Sequence, residues 1–96
     1  MNEIDHKFLK LENKVKKEFK EFFEWWEMIS LKVVGKNENE LAYNRRKRDL
    51  EIFYGEVMQS IEEASYRKLD KIVKSKRPIA QLYKELEIRE FKFAAI

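Results

Sequence analysis

The chain has 96 residues and a mass of 11.8 kDa, enough for one modest core and too few for two. Apolar residues make up 44%, charged residues 41% and aromatics 14%, a mixture that folds in water and is too ring-rich for a disordered chain. The absence of cysteine excludes a disulfide framework, a thiolate metal site and a cysteine nucleophile, and no apolar run is long enough to span a bilayer.

The first 20 residues carry charges throughout instead of an apolar signal region, so an intracellular, cytoplasmic location is expected and no membrane partner. Fifteen glutamates stand against three aspartates, fifteen lysines against six arginines, and threonine is absent. Glutamate and lysine are good helix formers, so the composition itself favours helix.

Ile4, Phe8, Leu11, Val15, Phe19, Phe22, Trp26, Ile29 and Val33 recur with the helical period and fall within an arc of about 80° at 100° per residue. They predict a helix over about 3–34, ended by Gly35. Asn37, with Glu40 three residues on, offers the next N-cap. Leu50, Tyr54, Val57, Ile61, Ser65, Leu69 and Ile72 then carry a stripe that predicts a second helix over about 38–75. Gly55 lies inside it, either because an aromatic of the first helix packs close or because the helix kinks or breaks there. Pro78 opens a short third helix over about 78–90, with Ile79, Leu82, Tyr83 and Leu86 on its apolar side. Residues 87–96 mix helical and alternating spacing and suit either a frayed helix or an extended tail.

The expected fold is therefore all-α and a single domain over 1–96. A long antiparallel helical hairpin carries a short third C-terminal helix. A hairpin leaves apolar surface uncovered, so dimerisation of two copies into a helical bundle is expected.

Phe19, Phe22, Phe23, Trp25 and Trp26 crowd into eight positions and widen the apolar arc to about 160°. They read either as core, flanked by the third helix, or as a protein interface. A platform for nucleic-acid bases is disfavoured, because Glu21, Glu24 and Glu27 interleave and repel phosphates.

The net charge of +3 is concentrated. Acids and bases balance in 1–34, 35–60 and 78–96, whereas 61–77 holds six cations against three acids. Those cations are Arg67, Lys68, Lys71, Lys74, Lys76 and Arg77. At the end of a helix running to 75 they complement the macrodipole; the same clustering is the footprint of a phosphate-contacting patch. In the other basic run, Arg45-Arg46-Lys47-Arg48, Arg46 falls on the apolar side and is expected to pair with a glutamate across the hairpin.

Ile79-Ala80-Gln81-Leu82-Tyr83-Lys84-Glu85-Leu86-Glu87-Ile88 resembles the first helix and turn of a helix-turn-helix DNA reader. Glu87 stands where such turns place glycine, and the remaining Arg89–Ile96 is short and apolar for a recognition helix.

Chemistry-bearing constellations are sparse. Glu3-x-x-His6 has the spacing of half a di-iron carboxylate site, but His6 is the lone histidine. Glu18, Glu21, Glu24 and Glu27 drift around the helix, and Ser30, Ser60, Ser65 and Ser75 have no base in view. No catalytic, cofactor-binding or metal residue is assigned, and no cofactor or enzyme activity is expected. The expected function is a non-enzymatic protein–protein interaction or assembly module acting through Phe19–Trp26, with itself or another protein as partner. The alternative is a small nucleic-acid-binding regulator that contacts DNA or RNA phosphates through 67–77.

Overall fold

A computed structural model of the chain describes residues 3–34 and 40–89. Among the described residues there are four α-helices and no strand: α1 Glu3–Val34, α2 Glu40–Glu63, α3 Tyr66–Lys74 and α4 Pro78–Glu85. The Gly35 helix end, the Asn37 cap and residues 90–96 lie outside the described residues.

The single helix expected over 38–75 is two helices, parted at Ala64 and Ser65. Ser65 is extended (φ −73°, ψ 157°), and its Oγ accepts the Lys68 backbone N–H at 3.3 Å. The residue that fits the apolar stripe at helical spacing is the N-cap of a new helix, because a serine hydroxyl competes for backbone donors. Ala64 N–H donates to the Ile61 carbonyl at 3.2 Å, tightening the last turn of α2. Gly55, by contrast, marks no break. α2 runs through it, and a Cβ built there meets nothing within 4 Å, so the expected close packing against an aromatic is absent too.

One core joins all four helices: Val15, Phe19 and Phe23 of α1, Leu50, Phe53, Val57 and Ile61 of α2, Leu69 and Ile72 of α3, and Leu82 of α4. Along α1 the partners rise in number as α1 descends. Trp26 meets Phe53 (ring centroids 5.6 Å apart), Phe19 meets Tyr54 (6.0 Å), Lys16 meets Glu62 (2.9 Å) and Phe8 meets Tyr66 (6.0 Å). α3 and α4 pack on each other and on α1. The molecule measures 53 × 25 × 18 Å.

α4 is shorter than the 78–90 expected. Pro78 occupies its first turn, and Arg77 C=O accepts the Gln81 N–H at 3.0 Å. At its end Ile88 N–H donates to Tyr83 C=O (2.9 Å) and Glu87 N–H to Lys84 C=O (3.3 Å), the paired bonds of a Schellman stop. Glu87 has φ 54°, a left-handed conformation that glycine adopts more readily.

Candidate nucleic-acid interface and aromatic face

All six cations of the 67–77 stretch are exposed. Leu69 and Ile72 anchor α3 in the core. Arg67, Lys71 and Lys74 fall within an arc of about 60° directly opposite them, with Lys68 on the flank. Lys76 and Arg77 follow in the bend between α3 and α4, where Ser75 Oγ accepts the Arg77 N–H at 3.1 Å. Two acids temper this face. Asp70 pairs with Lys74 at 2.9 Å, and Glu85 lies 3.9 Å from Lys71 while also accepting from Gln81 at 2.7 Å. The hydrogen bond from Lys74 to Asp70, and that charge beside it, hold the Lys74 pKa above its usual value.

The break at Ser65 changes what these charges do to the helix. In a helix running to 75, Lys71 and Lys74 would lie at the favourable C-terminal end and Arg67 and Lys68 in an interior that the dipole hardly affects. In α3, Lys71 and Lys74 keep that place, but Arg67 and Lys68 stand in the first turn, which contains no acid. There the positive end of the macrodipole opposes them, at about 0.3–1 kcal/mol each. Helix electrostatics therefore account for two of these four cations and argue against the other two.

The five aromatics expected to act together divide. Phe19 and Phe23 are buried inside the chain itself, so they are core and not an accessible interface. Phe22 and Trp26 are half-buried and packed against that core. Trp26 stacks on Phe22 (6.0 Å) and meets Phe23 and Phe53 edge-on. Trp25 alone faces water, 56% exposed, beside Met28 at 61% and Ile29 at 37%. Sequence spacing left Met28 out, because it lies beyond the core-facing arc.

One open groove of about 300 Å³ lies between α1 and α2, lined by Lys20, Phe23, Glu24, Glu27, Glu51 and Tyr54. Reading α1 alone gives no convergence of its glutamates. Glu24 and Glu27 share the lining of this groove with Glu51, which α2 supplies. Among the described residues no group of three or more His, Cys, Asp or Glu side chains can hold a metal ion, and His6 is exposed. No described helix is long and apolar enough to cross a membrane. Arg46 is half-buried on α2, while Arg45, Lys47 and Arg48 are exposed. No protein-family model matches the chain, and neither the curated proteins nor the solved structures contain a match.

Proposed function

We propose that the chain is a non-enzymatic module that binds nucleic-acid phosphates through the outer face of α3 and the bend that follows it. The observation that carries this reading is the placement of Arg67 and Lys68 in the first turn of α3, against the helix dipole. Charges that cost the fold stability, stand in water and neighbour four more of their sign along the chain fit a phosphate backbone better than a solubility role. DNA and RNA both present that backbone, and a role on either fits the intracellular location expected from the sequence.

The test is fluorescence anisotropy with a labelled mixed-sequence duplex and a single strand, at about 50 and 200 mM salt. With five phosphate contacts on duplex DNA, affinity falls with salt at a log–log slope of about −4.5. Arg67→Glu/Lys68→Glu should weaken binding at least tenfold in a chain that stays helical. Wild-type affinity in that double variant, or no binding at low salt, removes the reading.

A second reading is favoured by the exposure of Trp25, Met28 and Ile29 on one side of α1. Here the antiparallel α1–α2 hairpin, closed by α3 and α4, acts as an assembly module whose apolar flank docks on another protein, with a homodimer as the simplest case. Burial of Phe19 and Phe23 confines that surface to Trp25, Met28, Ile29 and the exposed edges of Phe22 and Trp26.

A further inference from the structure

We infer that the apolar flank of α1 is covered by the same flank of a second copy, with the two α1 helices antiparallel and Trp25 on the two-fold axis. This rests on the second reading above, that the flank is a protein-docking surface, and names its occupant. Glu18, Phe22, Trp25, Ile29 and Lys32 lie on one side of α1 within an arc of about 80° that overlaps the edge of the core-facing arc, with Met28 about 40° beyond its outer edge. The stripe's charges reverse about Trp25: an acid, Glu18, stands seven residues before it and a base, Lys32, seven residues after it, with Phe22 and Ile29 between and the exposed Glu21 on the flank.

In an isologous contact residue i meets residue j and j meets i. Antiparallel helices crossing at residue 25 bring together positions whose numbers sum to 50. Trp25 then meets its own copy, Phe22 meets Met28, Ile29 meets the stem of Glu21, and Glu18 meets Lys32 of the second copy, the last three contacts each occurring twice. Phe22 against Met28 is a favourable sulfur–aromatic pairing. Parallel helices in the same register would set Glu18 against Glu18 and Lys32 against Lys32, so charge selects the antiparallel arrangement.

The side chains are available for these roles. Trp25 and Met28 are 56% and 61% exposed, Lys32 is exposed, and Phe22 is half-buried, with the Trp25 ring 6.2 Å from its own. Glu18 is half-buried: its Oε2 lies beneath the chain's own atoms, so a cation from a second copy would act on the carboxylate as a neighbouring charge and not as a hydrogen-bond donor to that oxygen.

The experiment is sedimentation equilibrium of the full chain from micromolar to millimolar concentration, with far-UV circular dichroism to confirm that each variant is folded. The wild type should move from 11.8 kDa toward twice that mass. Glu18→Lys and Lys32→Glu should each weaken the dimer about tenfold, since each turns two attractive contacts into two repulsive ones. Glu18→Lys/Lys32→Glu should restore it to within about threefold. Mixing the two single variants should give a heterodimer stronger than either homodimer, because both of its charge contacts are then attractive.

A wild type that stays monomeric throughout overturns the proposal and leaves the flank to a different protein. A dimer that Trp25→Ala weakens but that ignores both charge reversals overturns the antiparallel register while the docking reading stands. A dimer indifferent to Trp25→Ala overturns both. Should Glu18→Lys unfold the chain, Lys32→Glu with its rescue by Glu18→Gln decides the register, Lys32 being exposed.

Discussion

Where α1 meets α2, the rings of Phe19, Phe22, Phe23, Trp26, Phe53 and Tyr54 cover one another. Where α3 and α4 pack on α1, Arg67, Lys68, Lys71, Lys74, Lys76 and Arg77 stand in water with Asp70 and Glu85 as their paired acids. The two clusters look equally suggestive in the sequence, yet folding accounts for them unequally. Apolar burial is non-directional, so a small protein draws almost any ring it has into its core. Like charges cannot be absorbed in that way, because burying one unpaired is prohibitive and massing them on a surface is unfavourable. In a chain this short, an excess of one sign is the better pointer to a partner than an excess of rings.

The largest expected effect tests that division directly. Phe19→Ala removes a fully buried ring touching Phe22, Phe23, Phe53 and Tyr54, and should cost about 3–5 kcal/mol in urea unfolding. That is a large share of the roughly 5–10 kcal/mol that holds such a domain together. Trp25→Ala, six residues along the same helix, should cost less than about 1 kcal/mol in dilute solution. Equal losses would put Trp25 in the core and erase the distinction between the two sides of α1.

Lys68→Glu sharpens the other half of the comparison. Ser65 already caps α3, and glutamate three residues later would complete a capping box with it while placing an acid in the first turn. Stability should rise by about 0.5–1 kcal/mol, while nucleic-acid affinity at low salt falls several-fold. A variant that is both more stable and a weaker binder identifies Lys68 as a residue kept for its partner. A gain in stability with unchanged affinity would mean that the cation has no such role.

The α1 stripe was legible because nine apolar residues keep one period over 30 positions, and that period needs no tertiary information. The all-helical class follows from the same signal. The break at Ser65 was not legible, because the serine lies in phase with the apolar stripe and a single polar residue is common on a half-buried face. Only the direction of its hydroxyl, toward the Lys68 N–H, distinguishes a cap from a passenger. That one residue decides whether Arg67 and Lys68 sit in a helix interior, where the dipole hardly affects them, or at a helix end that opposes them. The groove at Glu24, Glu27 and Glu51 was hidden for a different reason: its residues come from two helices, and reading one helix at a time cannot bring them together. The division of the aromatics was hidden for a third. Periodicity gives an angle around the helix, but which side of a wide arc is covered depends on where α2, α3 and α4 lie.

Gly55 offers a smaller, cleaner effect, away from both clusters. It sits inside α2 with open space where a Cβ would stand, so Gly55→Ala removes backbone freedom from the unfolded chain and adds no contact. Thermal or urea unfolding should show a gain of about 0.5–1 kcal/mol, with nucleic-acid binding and self-association unchanged. Destabilisation instead would show that α2 relies on flexibility at that point.

The smallest effect concerns the ion pair on the aromatic side of the Ser65 break. Lys16 Nζ lies 2.9 Å from Glu62 at the end of α2 and 3.4 Å from Glu12. The hydrogen bond to Glu62 raises the Lys16 pKa above its usual 10.5, opposed by partial burial and aided by the charges of Glu12 and Glu62. A pKa that is higher folded than unfolded gives stability that is fully present below about pH 10.5 and disappears as pH climbs through the folded value. Lys74 titrates with the same sign because of Asp70, so the informative quantity is the difference between wild type and Glu62→Gln. That difference should be about 0.5 kcal/mol and flat across neutral pH, then shrink above pH 10.5 and in high salt. A gap that survives alkali and salt would come from packing of the Glu62 stem, and the α1–α2 junction would then owe nothing to charge. The electrostatic contrast along the molecule would in that case belong to α3 alone.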